Sequence, residues 1–325
     1  MPVNVCACSR AAASPGSRTK NCFHTEARST KPALGPPTQN SRLSGCCRYR
    51  SGTIDAVRSR RPSTNGLVHR SWKLLRLALH LLAGLYVALV RYPRFNVARQ
   101  RSAMRSWSRQ LLRILQLRVR THGLRRLPAQ CLIVSNHISW LDIFIISARF
   151  PAVFVAKSEI RDWPLIGLLC ARAGTIFIQR GRRASARHAG RQLASALHEG
   201  RAVSIFPEGT TTDGLQVAVF HRALFQPAIE TGASVQPVLL RYVDHSGAYS
   251  AAPNYIGDTS LMESIWQLVS TSGLVAEMHL LQPIETGECS REELAASART
   301  AIQDALLQAC GSVPGIPCRP PAERP

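Results

Sequence analysis

The most informative part of the chain is Cys131-Leu132-Ile133-Val134-Ser135-Asn136-His137-Ile138-Ser139-Trp140-Leu141-Asp142, where an apolar run passes into a polar turn. In a regular helix, residues five apart lie about 140° around the axis and about 7.5 Å along it, so His137 and Asp142 could not meet within one helix. We therefore expect His137 in a turn after a strand, with Asp142 in the first turns of the helix that follows.

His137 and Asp142 then make a candidate general base with its orienting partner. The carboxylate would hold the ring N–H, fix the tautomer and raise the basicity of the other ring nitrogen. The alternative is that Asn136 and Ser139 cap a helix and that His137 is an ordinary turn residue. The rest of the chain bears on this choice.

Three further strand-like runs follow, and polar residues end two of them. The first run ends in the cation Arg180. The second breaks at Phe206-Pro207-Glu208-Gly209-Thr210, where glycine frees the backbone to approach a ligand and threonine offers a hydroxyl. The third opens with Val235-Gln236-Pro237-Val238.

In this order, the four blocks resemble those of the glycerolipid acyltransferases. The resemblance covers roughly residues 74–309, and residues 154–167 are similar to the family's segment between the first two blocks. It implies an α/β fold, a single mixed-sheet acyltransferase domain preceded by an N-terminal helical membrane module. The residue pattern agrees with alternating elements: strand-like runs at 153–156, 175–178, 202–206, 235–242 and 275–281, and helical patterns at 184–198 and 290–309.

The resemblance also implies a mechanism. His137 would take a proton from an acceptor hydroxyl, which attacks the thioester of acyl-CoA or acyl-carrier protein without an acyl-enzyme. Asp142 would orient the ring and stabilise the imidazolium. Neither a cofactor nor a metal is implied.

For substrate binding, the resemblance places Arg180 and Glu208 on the polar head of the acceptor. Backbone N–H groups near Gly209 are candidate donors to the oxygen of the tetrahedral intermediate. Thr210 and Lys157 complete the predicted substrate-binding set.

The acceptor is the finer question. Because Arg180 and the run ending in Thr210 are intact, we favour 1-acyl-sn-glycerol-3-phosphate, with phosphatidic acid as the product. However, family members that act on this lysolipid often carry arginine at the next position, where this chain has Thr211. The alternative is therefore a lyso-ornithine-lipid O-acyltransferase; Arg222 or Lys157 is a further source of charge if the acceptor is the phosphate.

The formal net charge is +22. The distribution of charge and of residue types along the chain predicts four segments. Residues 1–66 are a disordered leader or an over-extended start, 67–120 membrane-associating helices, 121–310 the acyltransferase domain, and 311–325 a disordered tail. Cations flank the apolar residues 77–90, but these 14 residues are fewer than the roughly 20 needed to span a bilayer. We expect an interfacial or marginally inserted anchor on an anionic membrane surface, at the cytoplasmic face of the inner membrane.

A second helical stripe follows the anchor. Met104, Trp107, Leu111 and Ile114 recur at helical spacing, with arginines off the stripe, which suits a helix lying on anionic lipid. The alternative is a core-packing helix with a solvated basic face.

Rival functions make different demands on the sequence. A lipid esterase needs a nucleophile, and although Ser135 and Ser139 lie beside His137, the chain lacks a G-x-S-x-G elbow. A nucleic-acid-binding protein would explain the charge, but the cations cluster around the apolar anchor and no aromatic-interleaved basic motif is present, so no nucleic-acid partner is expected. A membrane-binding protein without transferase activity would not need the His137 block.

Overall fold

The computed structural model describes residues 66–124, 126–179 and 181–311. The predictions for the leader and the tail therefore fall outside the described residues, apart from Gly66 and Gly311, and so does Arg180.

Seven strands form one mixed sheet in the order β1-β7-β6-β2-β5-β3-β4. Strands β6, β2, β5, β3 and β4 are mutually parallel, whereas β7 is antiparallel to β6 and parallel to β1. The predicted single mixed sheet is confirmed. The strands are β1 Arg118–Gly123, β2 Cys131–Ser135, β3 Val153–Lys157, β4 Ile176–Ile178, β5 Val203–Ile205, β6 Ser234–Val243 and β7 Val275–Leu280. Strand β1 crosses the predicted boundary at residue 120.

Strand β2 lies at the centre of the sheet, and every one of its residues is buried. Leu132 aligns with Val203 of β5 on one side and Val235 of β6 on the other. A strand that is covered on both faces has a continuous apolar sequence, which is why β2 can be predicted from the sequence. The carboxyl ends of the parallel strands meet at one edge, where ligands bind in open α/β sheets.

Helices cover both faces of the sheet. One buried cluster joins it to α1, α2, α3 and α7, and a second joins it to α5, α6 and α8. The helices are α1 Leu67–Tyr86, α2 Val97–Ile114, α3 Asp142–Arg149, α4 Ile166–Arg172, α5 Arg183–His198, α6 Gln226–Thr231, α7 Leu261–Ser270 and α8 Arg291–Gly311.

Helix α1 continues through a π-helical turn and a 3₁₀ turn, and the segment Leu67–Arg94 is long and apolar enough to cross a membrane. The apolar helix is therefore longer than the 14 residues expected from the sequence. Two polar residues of this helix face the protein: Lys73 is buried with Nζ 3.4 Å from the carbonyl of Val269, and His80 is buried and stacks on Trp107. The exposed side is mainly apolar, with Val68, Trp72, Leu75, Leu79, Leu82, Tyr86 and Leu89, although His69, Ser71 and Arg76 are exposed among them.

Helix α2 matches the core-packing alternative. Leu111 and Ile114 are buried in the same cluster as α3, and Trp107 packs edge-on against Phe144 of that helix. The prediction that this stripe faces lipid is therefore wrong, because the stripe supplies the apolar contact that attaches α2 to the domain.

Candidate active site

His137 lies in the turn between β2 and α3, and Asp142 is the first residue of α3, as the spacing predicts. Nδ1 of His137 lies 2.8 Å from Oδ2 of Asp142. A carboxylate at Nδ1 favours the tautomer with its proton there, which leaves the lone pair on Nε2. The imidazole side chain is 19% exposed, so a substrate can reach it.

The Asp142 carboxylate is fully buried, and protein donors surround it. Oδ2 also accepts the backbone N–H groups of Ile138 and Ser139, at 2.7 and 3.0 Å. Oδ1 accepts the hydroxyl of Tyr242, on β6, at 2.6 Å. A buried charge requires such partners, and here they also fix the direction in which the carboxylate points.

The turn after β5 binds both backbone groups of His137. Its N–H donates to Oε1 of Glu208 at 3.0 Å, and its carbonyl accepts the N–H of Thr212 at 2.8 Å. The ring stacks on Phe206 with centroids 4.1 Å apart. Strands β2 and β5 are neighbours, so these two turns emerge side by side at the carboxyl edge of the sheet.

Glu208 is itself buried, and its second oxygen accepts the N–H of Ala218 at 3.4 Å. Burial raises the pKa of Glu208 to about 7; the backbone N–H groups of His137 and Ala218 oppose this increase, and the nearby charge of Asp142 adds to it. Glu208 therefore holds the His137 turn in place, and its contact with the acceptor head group stays a prediction.

Replacing Glu208 with glutamine is expected to remove part of the pH dependence of stability between about pH 4.5 and 7. With the pKa raised in the folded state, the folded protein holds a proton here that the unfolded chain releases. The free energy of unfolding therefore falls as pH rises through this window, by on the order of 3 kcal/mol from this one group. Chemical denaturation of wild type and Glu208→Gln across the window measures the difference; parallel curves would mean that Glu208 ionises as an ordinary carboxyl.

The backbone donors near Gly209 are only partly available. Gly209 has a φ of +70°, as its place in a tight turn requires, but its N–H already donates to the carbonyl of Phe206 at 3.0 Å. Its own N–H is therefore not the predicted donor to the tetrahedral intermediate. Thr210 is exposed beside it and remains a candidate. The next residue, Thr211, donates its hydroxyl to the carbonyl of Tyr255.

Two of the predicted cations, Lys157 and Arg222, lie among the described residues. Lys157 is exposed at the carboxyl end of β3, which β5 separates from β2. Arg222 pairs with Glu292 of α8 at 3.2 Å. The structure therefore brings together His137, Asp142, Glu208 and Gly209, with Lys157 farther along the same edge. Among the described residues, no group of three or more side chains is arranged to hold a metal ion.

The two serines beside His137 are fully buried. Ser135 donates its hydroxyl to the carbonyl of Asn136, and the Ser139 hydroxyl accepts the N–H of Leu141. Both are packed into the turn as structural groups, an arrangement that gives a substrate no access to them as nucleophiles.

Sequence reasoning missed two residues that support the site. Tyr242 binds Asp142 from β6, and the amide of Asn136 binds both backbone groups of Leu240 on the same strand, at 2.8 and 3.0 Å. Asn136 therefore attaches the His137 turn to β6; it does not cap α3. The signal in the sequence is weak, because Tyr242 is one of several residues with polar atoms in β6, along with Gln236 and Arg241.

Comparison with known proteins finds relatives of this chain. A family model for acyltransferases matches residues 118–241. The lyso-ornithine lipid O-acyltransferase of Pseudomonas aeruginosa is 39% identical over 245 residues, which cover 74% of this chain and 93% of that protein. The 1-acyl-sn-glycerol-3-phosphate acyltransferase of Neisseria gonorrhoeae is 37% identical over 186 residues, covering 57% and 70% respectively. In fold, the chain resembles the 1-acyl-sn-glycerophosphate acyltransferase of Thermotoga maritima, with a TM-score of 0.54 at 20% identity over 74% of this chain and 97% of that one.

Proposed function

This chain belongs to the acyltransferase family, and from that premise we propose that it transfers an acyl group from a thioester to the hydroxyl of a lyso-ornithine lipid. The broader activity, acyl transfer to lysophospholipid-type acceptors, is common to the relatives. The observation that carries the chemistry is the contact between His137 and the buried Asp142 at the carboxyl edge of the sheet.

In the proposed reaction, Nε2 of His137 removes the proton of the acceptor hydroxyl while its oxygen attacks the thioester carbonyl. The tetrahedral intermediate collapses with cleavage of the C–S bond, and the leaving thiolate takes the proton from the imidazolium. An ester and a free thiol result, and His137 returns to its starting state. Asp142 stabilises the imidazolium without taking the proton itself.

Two observations support the aminolipid acceptor over the phosphate that the sequence alone favours. The Pseudomonas aeruginosa relative matches over nearly its whole length, with the higher identity. In addition, Thr211 is neutral, and its hydroxyl is engaged by Tyr255, so this position supplies no cation for a phosphate. The zwitterionic head group of a lyso-ornithine lipid needs a cation there less than a phosphate does, because its own ammonium already balances its carboxylate.

The second candidate acceptor is 1-acyl-sn-glycerol-3-phosphate, which the Neisseria gonorrhoeae relative supports by name. In that case the phosphate requires cations, and Lys157 is exposed at the same edge of the sheet. The two candidates share the reaction at His137 and differ only in the head group.

Thr211→Arg separates the two acceptors. If the acceptor is a lyso-ornithine lipid, the new guanidinium is repelled by the ammonium of the head group. The substitution also removes the hydrogen bond from the Thr211 hydroxyl to the carbonyl of Tyr255. The value of kcat/KM is therefore expected to fall. If the acceptor carries a phosphate, the new arginine donates a charged hydrogen bond to that phosphate, which contributes about 1.5–3 kcal/mol to binding. The value of kcat/KM then rises or stays the same. The measurement is kcat/KM of wild type and Thr211→Arg on both lysolipids. A wild-type enzyme that acylates the phosphate and ignores the aminolipid would overturn the proposal.

The donor and the location follow from the same chemistry. We propose acyl-CoA or acyl-carrier protein as the donor, and the cytoplasmic face of the inner membrane as the site of action, where these thioesters occur. We assign membrane attachment to α1, whose exposed side is mainly apolar, with Arg76 exposed among the apolar side chains.

A further inference from the structure

An exposed apolar turn follows β3. It contains Trp163, Pro164 and Leu165, and Leu168 extends it onto α4. The exposed fractions of the two leucines are 49% and 38%, and that of the tryptophan is 38%. Large apolar side chains grouped in this way on a surface mark a contact with a partner or a membrane.

The backbone holds this turn in an unusual conformation. The N–H of Ile166 donates to the carbonyl of Pro164 at 2.7 Å, which forms a γ-turn around Leu165 with φ +64° and ψ −48°. This form of the γ-turn is rare and strained for a residue with a side chain. The backbone of the turn packs closely on the segment before it, since a Cβ on Gly167 would lie 2.1 Å from the carbonyl oxygen of Arg161. The strained turn therefore keeps the Leu165 side chain in solvent at a cost to the fold.

The position of the turn connects it to both the active site and α1. Because β3, β5 and β2 are parallel, the turn leaves the sheet at the edge that carries His137. Helix α4 also contacts the π-helical turn Val87–Arg91 at the end of α1. The apolar side of α1 ends there in Leu89 and Val90, both 41% exposed.

We propose that the turn from Trp163 to Leu168 is a second membrane contact, which sinks into the bilayer interface beside α1. The occupant is an anionic lipid surface, for two reasons. Tryptophan favours the boundary between head groups and hydrocarbon. The segment that carries α1 and α2 is also cationic, since the sequence has no acidic residue between Asp55 and Asp142. Directly before the turn, the exposed cations Lys157 and Arg161 balance the exposed Glu159 and Asp162. The contact would hold the carboxyl edge of the sheet against the membrane, so that the acceptor hydroxyl reaches His137 while its chain stays in lipid.

Tryptophan fluorescence tests this contact without any acyl transfer. Wild type and Trp163→Phe are bound to vesicles of phosphatidylcholine and phosphatidylglycerol, with and without lipids brominated near the glycerol. The difference between the two proteins isolates Trp163, and this signal is expected to lose most of its intensity in the brominated vesicles. The proposal is overturned if the Trp163 fluorescence of vesicle-bound protein is not quenched by the brominated lipids. It is also overturned if the Trp163 fluorescence changes only when acyl-carrier protein is added.

Leu165→Gly gives a second test, because glycine relieves the positive φ while removing the side chain. The variant is expected to unfold at the same or a higher temperature, yet to raise KM for an acceptor embedded in vesicles on the order of tenfold. Its KM for a water-soluble short-chain acceptor should not change. Leu168→Ser should raise KM for the vesicle-embedded acceptor in the same way. The matched control is Leu307→Ser, because Leu307 on α8 is 37% exposed and lies outside the turn.

An unchanged vesicle KM in both leucine variants would exclude the contact. The inference rests on the proposed function only in taking the acceptor to be a membrane lipid. The quenching result stands whichever lysolipid is acylated, so its failure and the failure of the proposed function are distinguishable.

Discussion

Replacing His137 with alanine is expected to lower kcat for acyl transfer by about 10²–10⁴-fold or more, the range attributed to a positioned general base. The variant keeps the three other donors to Asp142, namely the N–H groups of Ile138 and Ser139 and the hydroxyl of Tyr242, so the turn should still fold. The measurement is thiol release from a thioester donor by purified enzyme in the presence of a lysolipid.

The control is His198→Ala, at the exposed last turn of α5, which should retain wild-type turnover. Circular dichroism and vesicle binding of the His137 variant should match wild type, because the imidazole is partly exposed and is not part of either buried cluster. Near wild-type turnover by His137→Ala would remove this residue from the mechanism. Release of free fatty acid by wild type at full rate without any acceptor would favour an esterase.

The contact between His137 and Asp142 was predictable because it is local. A strand, a turn and a helix start within twelve residues allow few arrangements, and the spacing rules out a shared helix. The strands were predictable for a related reason, since central parallel strands are covered on both faces and read as apolar runs. The capping box at Ser290 and Glu293 likewise marked the start of α8.

The supports of the site were not predictable, because they depend on the register between strands. Tyr242 lies 100 residues from Asp142, and Asn136 lies 104 residues from Leu240. Only the pairing of β2 with β6 brings these residues together, and a single sequence does not encode that order in any local pattern. The burial of Glu208 was not predictable for the same reason, since the His137 N–H group that it binds comes from the turn after a neighbouring strand.

Helix α1 shows a second reason why prediction from the sequence is limited. Hydropathy treats each polar residue as a cost to insertion, but Lys73 and His80 point into the domain. The large side chains on the outer side of α1 are mainly apolar, with Arg76 exposed among them, so the helix presents a longer apolar surface than its composition suggests. In α2 the reverse holds, because its apolar stripe is used by the core.

Replacing Asp142 with asparagine is expected to lower kcat by up to about 10⁴-fold, as loss of an orienting carboxylate does when the tautomer is no longer fixed. Asparagine has one acceptor oxygen where the carboxylate has two, and four donors converge on this buried side chain. If its NH₂ group faces Nδ1 of His137, the ring must carry its proton on Nε2 and cannot act as a base. The measurement is kcat and kcat/KM with the same donor and acceptor as for His137→Ala.

Tyr242→Phe provides the graded comparison, because it removes one donor and leaves the Asp142 charge in place. Without that hydrogen bond the carboxylate is less stabilised and attracts the imidazole proton more strongly, so the acidic limb of the pH profile of kcat/KM should move to higher pH. A residue that only packs the core would lower stability and leave the pH profile where it was. Tyr249→Phe, which loses a hydroxyl bonded to the carbonyl of Asp213, is the matched control and should not shift the limb. Wild-type kcat in Asp142→Asn, or an unmoved limb in Tyr242→Phe, would show that orientation of His137 does not depend on this buried network.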